Sequence, residues 1–198
     1  MPARQTPVQP EPAAEGGNSR DAALLRRVAA GDRAAFESLY GEYFGRLHRF
    51  LSRVTQRRDV VEEAINDAFW VVWQKAADFR GGSQVSTWVI GIAYRCALKA
   101  LRRNASALTI PAPWPDEAGH EPIAEEERAD WIGRGLAQLP VEQRSTIELA
   151  YYLGHSCEEI AQIMDCPVGT VKARMFHARV KLRNLLPALG GSVYEDRR

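Results

Sequence analysis

Residues 156–186 read SCEEIAQIMDCPVGTVKARMFHARVKLRNLL, and this stretch decides the fold of the C-terminal half. Ser156 and Glu159 form an S-x-x-E capping box, which predicts the start of a short helix. Pro167 suits the first turn of a second helix, which we expect to run from Val168 to about Leu186. A short helix, a tight turn and a second helix are typical of a helix-turn-helix.

The second of these helices is basic, with no acidic residue to offset its charge. Its cations are Lys172, Arg174, Arg179, Lys181 and Arg183. The residues that recur at helical spacing, and so predict its buried face, are Val171, Met175, Ala178 and Leu182. Those left facing outward near its N-terminal half are Lys172, Phe176, His177 and Arg179. Because that half enters the major groove in this motif, the pattern favours DNA reading over a merely solvated basic face.

The rest of the chain predicts an all-α protein of two small helical domains, joined by a flexible acidic linker that contains prolines. Apolar residues at helical spacing predict four helices in the first half, with Asp32 and Asp59 as caps of the second and third. Four prolines and six acidic residues forbid a continuous helix between the halves. The predicted organisation is a disordered leader (1–20), a first domain (21–104), the linker (105–129), a second domain (130–187) and a tail (188–198).

Composition narrows the possible functions. The net charge is +1 and hydrophobic residues make up 45%, as in ordinary globular proteins. No apolar run approaches the roughly 20 residues that span a bilayer, and the cysteines fit free thiols in a reducing compartment. His155 and Cys157 form an H-x-C pair, but a structural zinc site needs four ligands, and no convincing second pair lies nearby. We therefore expect no metal and no cofactor.

The C-terminal motif resembles a known family. The run from Leu139-Pro140 to Ala178-Arg179, and above all PVGTVKAR at 167–174, is similar to the −35-reading domain of extracytoplasmic-function (ECF) sigma factors of the sigma-70 family. The resemblance implies that the −35 element is contacted by Lys172, Phe176, His177 and Arg179. It implies a DNA-backbone contact for Arg174. An arginine often stands at the position of His177 in relatives, so the base preference there is open.

The third predicted helix carries a polar set made of Asp59, Glu62, Glu63, Asn66 and Asp67. Composition alone favours a solvated polar face. However, the pattern D-x-x-E-E-A…D-x-F-x-x-V-W over 59–73 resembles the family's helix for binding core RNA polymerase. The resemblance implies that this set docks on the clamp of the polymerase's largest subunit, where acidic residues would complement a basic partner.

The loop 79–83 and the helix after it resemble the part of the family that opens and reads the −10 element. A loop that contains glycine can approach a flipped base closely, and polar side chains can bond its edge. The resemblance implies −10 contacts for Ser83, Gln84, Ser86, Trp88, Arg95, Lys99, Arg102 and Arg103. Trp88 could stack on a base, but a tryptophan in an apolar helical pattern is more often core, which we favour here.

The function that follows is an ECF-type sigma factor in the cytoplasm. It would bind core RNA polymerase and direct promoter-specific initiation, and an anti-sigma factor would hold it inactive. We expect no enzymatic activity, because no phosphate loop, nucleophile elbow or acid–base constellation accompanies the acidic set. Two alternatives remain open, which are a dimeric helix-turn-helix regulator and a metal-dependent enzyme built on the acidic set.

Overall fold

Helices joined by short turns and loops make up the part of the protein that the computed structural model describes, which is residues 13–106 and 132–194, with side chains over 17–103 and 132–186. The first half holds α1 (Ala13–Ala29), α2 (Arg33–Val54), α3 (Arg58–Lys75), a 3-10 turn (Ala76–Asp78) and α4 (Val85–Ser106). The second half holds α5 (132–137), α6 (Val141–Ile147) continued by a wide π-type turn (Glu148–Tyr152), α7 (Cys157–Met164) and α8 (Val168–Tyr194). The all-α prediction is confirmed. Residues 105 and 106, predicted to begin the linker, instead end α4, and the rest of the predicted linker lies outside the described residues. No helix within the two described ranges is long and apolar enough to cross a membrane.

Helix α2 forms where its sequence pattern predicts it. The Asp32 carboxylate accepts a hydrogen bond from the backbone N–H of Ala35 at 3.1 Å, which caps the first turn. Buried side chains then recur at helical spacing, namely Leu39, Tyr43, Leu47, Phe50, Leu51 and Val54. Helix α3 differs from the prediction at its start. Its cap position is Arg57, and Asp59 lies inside the first turn, where it pairs with the Arg57 guanidinium.

Helix α1 begins at Ala13, so the prediction of a disordered leader is wrong for residues 13–20. The reason is that α1 is held by contacts with residues far away in the sequence. The Asn18 side-chain oxygen accepts a hydrogen bond from the backbone N–H of Val85 at 3.0 Å, which ties this helix to the start of α4. The hydroxyl of Tyr43 donates to the buried carboxylate of Asp21, which ties it to α2. Residues 1–12 lie outside the described part.

The Tyr43–Asp21 contact carries a stability prediction. Burial, together with the hydrogen bond to Asp21, raises the pKa of Tyr43, so its hydroxyl stays a donor. We expect Tyr43→Phe to lower the free energy of unfolding by about 1–3 kcal/mol, because Asp21 would keep its burial and lose this donor. Urea denaturation followed by circular dichroism measures the change. Tyr40→Phe, the same change on a half-buried tyrosine of α2, is the control. An equal effect of the two variants would contradict the assignment.

The helix-turn-helix forms as the sequence predicts. Ser156 accepts from the backbone N–H of Glu159 while the Glu159 carboxylate accepts from the backbone N–H of Ser156, so the capping box is complete. Asp165 then takes a left-handed conformation at φ 51°, which turns the chain into α8. Helix α8 continues through Pro187 to Tyr194, so the predicted end near Leu186 is wrong and the predicted tail is helical over 188–194. A proline removes one backbone hydrogen bond, and Ala188 and Leu189 favour continued helix.

The two halves pack against each other. One apolar cluster joins side chains of α2 and α4 to Leu149, Ile160, Ile163 and Val171 of the second half, each of which is fully buried. The separate cluster within the second half is small and centres on Leu139, Ile147 and Ala178. Helix α7 packs against both α4 and α8.

Candidate functional site

The face of α8 that the sequence assigns to DNA is exposed. Lys172, Phe176, His177 and Arg179 are all accessible, and 63% of the Phe176 surface is open to solvent. Val171 and Ala178 on the opposite face are fully buried, while Met175 and Leu182 are half-buried. The helix thus presents cationic and aromatic groups together, which suits contact with phosphates and base edges.

Contacts within the second half hold the Arg174 and Arg179 side chains of this helix. The Arg174 guanidinium reaches back toward the turn, with Nη1 at 3.5 Å from the Cys166 Sγ, and its side chain is half-buried. The Arg179 guanidinium donates to the Tyr151 hydroxyl and lies near that ring. Arg174 is therefore held away from the outer face, whereas Arg179 is placed between α8 and the exposed Tyr151.

The loop and helix assigned to the −10 element differ in how open they are. Gly81 takes a positive φ of 74°, which a side chain would strain, so the tight loop needs glycine. Gln84 is exposed and Ser83 half-buried, but Ser86 is buried and its hydroxyl lies 3.4 Å from the Gln84 Oε1. Trp88 is half-buried against Phe79, with ring centroids 5.3 Å apart.

The cations of α4 lie along its exposed side. They are Arg95, Lys99, Arg102 and Arg103. Arg103 donates to the Glu63 carboxylate on α3, and Glu63, followed by Asp67, raises the pKa of Arg103. Two members of the predicted polymerase-binding set thus neighbour the predicted DNA-binding cations.

The polar set of α3 is therefore split. Glu63 and Asp67 lie toward α4, and Asp59 pairs with Arg57. Glu62 and Asn66 instead line an open groove between α2 and α3. The carboxylates that the sequence pattern assigns to one surface therefore lie on two sides of α3.

That groove is the feature that sequence reasoning missed. Its larger part is a cleft of about 510 Å³ lined by Arg33, Phe36, Glu37, Tyr40, Asn66, Phe69, Trp70 and Trp73. A second part, beyond Asn66, adds Phe44, Gly45, His48, Arg49 and Glu62. Trp70 is 61% exposed and Phe44 39%. We call this surface the α2–α3 groove. The residue that could have indicated the groove from the sequence is Trp70. It directly follows Phe69, which is on the apolar stripe of α3, so Trp70 must lie off that stripe.

The described residues hold no cluster of three or more His, Cys, Asp or Glu side chains that could bind a metal ion. His155 is buried, and its Nδ1 lies 3.5 Å from the Glu159 Oε2. Burial lowers the pKa of His155, so burial favours its neutral form. Cys157 lies on α7, half-buried and with a free thiol.

Two family profiles match the chain. The profile described as Sigma-70 region 2 matches residues 39–107, and the one described as Sigma-70, region 4 matches residues 129–182. The first match contains α3 and α4 with the α4 cations, and all of the α2–α3 groove except Arg33, Phe36 and Glu37. The second contains the helix-turn-helix with its exposed basic face.

Individual proteins are similar over most of the length. The ECF RNA polymerase sigma factor SigM of Mycobacterium tuberculosis (strain ATCC 25618 / H37Rv) is 35% identical over 178 residues, which is 87% of this chain and 88% of SigM. Two solved structures share the fold at 24% identity. CnrH in complex with the cytosolic domain of CnrY has a TM-score of 0.63 over 85% of this chain and 97% of that one. The sigma factor RpoE in complex with the anti-sigma factor NepR, from Bartonella quintana, has a TM-score of 0.61 over 76% and 96%.

Proposed function

The chain belongs to the ECF sigma factors of the sigma-70 family, and from that premise we propose how its surfaces divide the work of promoter-specific initiation. Three surfaces take part. The outer face of α8 reads the −35 element, the loop after α3 with α4 serves the −10 element, and the α2–α3 groove binds core RNA polymerase. The observation that carries the proposal is the α8 face, because a basic, aromatic and exposed surface sits on the second helix of a helix-turn-helix.

The −35 contacts are assigned to Lys172, Phe176, His177 and Arg179. Lys172 lies in the second turn of α8, near the positive end of the helix dipole, where a DNA phosphate or guanine edge is favoured. Arg179 lies two turns further on, where it can hold a phosphate. Arg174 is proposed to contact the DNA backbone only after it releases Cys166.

The −10 contacts are assigned to two groups with different tasks. Gln84 and Ser83 lie in or beside the glycine loop and can bond an unpaired base. The phosphate-holding group is the cationic side of α4, made of Arg95, Lys99, Arg102 and Arg103. Ser86 and Trp88 remain part of the proposed site, and Ser86 must become accessible before it can contact DNA, since it is buried here.

Polymerase binding is assigned to the α2–α3 groove and to the acidic set of α3. Trp70 and Phe44 supply exposed aromatic surface, and Glu62 and Asn66 lie at the junction of the two parts of the groove. Large aromatic side chains anchor interfaces, while acidic neighbours set orientation on a basic partner. Asp59, Glu63 and Asp67 supply the flanking negative charge.

Transcription by purified core RNA polymerase with and without the chain tests this function. We expect transcripts to start at a small set of promoters only when the chain is present, and mapping of their starts gives the −10 and −35 sequences. Core polymerase alone is the control. Specific binding of duplex DNA by the chain alone at physiological salt, with no transcription on adding core enzyme, would favour a helix-turn-helix regulator and overturn the proposal. Magnesium-dependent turnover that Glu63→Ala abolishes would favour an enzyme.

We propose further that the protein works in the cytoplasm, where core polymerase and promoter DNA are found, and that an anti-sigma factor restrains it. The complex of RpoE with NepR supports this partner class, since RpoE shares the fold. Purification of the tagged chain from its own cells, followed by identification of bound proteins, tests both points.

A further inference from the structure

Helix α1 holds the start of α4 through one side chain. The backbone N–H of Val85 donates to the Asn18 Oδ1 at 3.0 Å, in a part-buried position. Val85 is the first residue of α4, so its N–H has no partner within the helix, and its side chain is fully buried. A backbone N–H beside the core is costly to leave without an acceptor. Asn18 therefore caps α4 from a position 67 residues earlier in the chain.

Helix α1 also reaches the other end of the loop 79–83. It packs against the 3-10 turn that precedes this loop, and Ala76 of that turn is buried. The backbone N–H of Phe79 donates to the Ala76 oxygen at 3.3 Å, which closes the turn. The loop therefore leaves one element that packs on α1 and enters another that α1 caps.

Between these two ends the loop is open to a ligand. Gly81 is exposed, and so is Gln84, which directly precedes α4. The Gln84 carbonyl accepts from the backbone N–H of Trp88 at 3.1 Å, and it shares one planar peptide unit with the Val85 N–H. Asn18 and Trp88 thus hold this unit from its two sides. A loop with fixed ends does not have to be ordered when a base arrives, which lowers the cost of binding.

Other contacts keep α1 in place without Asn18. The Tyr43 hydroxyl donates to Asp21, and the side chains of Leu25 and Val28 are fully buried. Because these contacts lie further along α1, removal of the Asn18 amide should release the start of α4 and leave α1 docked. The position of the loop can therefore be changed separately from the fold of the domain.

We propose that Asn18 is a positioning residue for the −10 element. From α1 it fixes the peptide unit between Gln84 and Val85, and with it the loop that captures an unpaired base. Asn18 lies outside the segment that the region 2 profile matches, which begins at residue 39. The inference rests on the proposed function, since it assumes that this loop reads the −10 element. Its own content is that α1 sets the selectivity of the loop without contacting DNA.

Initiation by reconstituted holoenzyme on two templates tests the inference. One is a mapped promoter and the other differs by one base pair of its −10 element, so the ratio of transcripts measures selectivity there. We expect Asn18→Ala to lower this ratio by roughly fivefold, the factor that corresponds to one ordinary hydrogen bond. Asn18→Asp should restore the ratio, because a carboxylate also accepts from the Val85 N–H and suits a helix N-terminus. Ser19→Ala, on the exposed neighbour of Asn18, is the matched control and should keep the wild-type ratio.

The ratio separates a positioning role from a purely structural one. A variant that is only less stable supplies fewer active chains and loses transcripts on both templates alike. A wild-type ratio in Asn18→Ala would therefore overturn the inference, as would failure of Asn18→Asp to restore it. Selectivity for the −35 element should be unchanged in Asn18→Ala, and an equal loss there would contradict a role confined to the loop. Absence of promoter-specific transcription with the wild-type chain would instead overturn the proposed function, and the inference with it.

Hydrogen exchange in the free chain measures the contact itself, independently of transcription. We expect the Val85 amide to exchange roughly fivefold faster in Asn18→Ala than in the wild type or in Asn18→Asp, because the start of α4 opens more often. The amide of Leu47, in the buried part of α2, reports on the stability of the domain and should exchange at the same rate in all three. Equal exchange of the Val85 amide in Asn18→Ala and the wild type would overturn the inference.

Discussion

Trp70→Ala is expected to weaken binding of core RNA polymerase by roughly 30-fold or more, which corresponds to about 2 kcal/mol. Trp70 is 61% exposed, whereas Trp73, the other tryptophan of the α2–α3 groove, is half-buried. Exposed tryptophan beside half-buried aromatic rings offers apolar area that a partner can cover, and truncation removes most of it. The loss should appear as faster dissociation from immobilised core enzyme, because changes within one interface act mostly on the off-rate.

The same measurement with Phe176→Ala is the matched control. Phe176 is an aromatic residue of nearly equal exposure, at 63%, but it lies on the α8 face assigned to DNA. In the absence of DNA we expect its removal to leave core binding unchanged. Wild-type affinity in Trp70→Ala, or an equal loss in both variants, would contradict the assignment of the groove. Both variants should keep the wild-type melting temperature, since neither side chain is buried.

The fold could be predicted where local chemistry decides it. Asp32 caps α2, and Ser156 with Glu159 caps α7, because both patterns act within four residues of the chain. The predictions failed at the two ends of the described chain and at the start of α3. Helix α1 starts eight positions before Asp21 because Asn18 is anchored 67 residues away on Val85, a contact that no local pattern contains.

The candidate site, too, could be predicted only in part. The outer face of α8 follows from helical periodicity alone, and its predicted residues are the exposed ones. The burial of Ser86 could not be predicted, because the start of α4 is packed by tertiary contacts that no local pattern contains, such as that between Asn18 and Val85, 67 positions apart. The division of the α3 acidic set was hidden for the same reason, since Arg103 lies 40 positions after Glu63.

Lys172→Ala is expected to reduce transcription from a cognate promoter by roughly 5- to 150-fold, the equivalent of about 1–3 kcal/mol for one base contact. Lys172 is exposed in the second turn of α8, in the half of the helix that enters the major groove in this motif. Its loss removes a donor without leaving a cavity, because Val171 and Ala178 hold the buried face unchanged. The measurement is initiation by reconstituted holoenzyme on a mapped promoter and on the same promoter with a scrambled −35 element.

Lys181→Ala is the matched control, since it removes the same charge from the same helix. The Lys181 ammonium donates to the backbone oxygen of Gln138 at 2.8 Å, so it is held toward α5 and away from the DNA face. We expect this control to initiate nearly as well as wild type. If Lys172 reads a base, its removal matters on the cognate promoter and hardly on the scrambled one. An equal loss on both promoters would instead assign Lys172 to a phosphate, and no loss on either would remove it from the −35 surface.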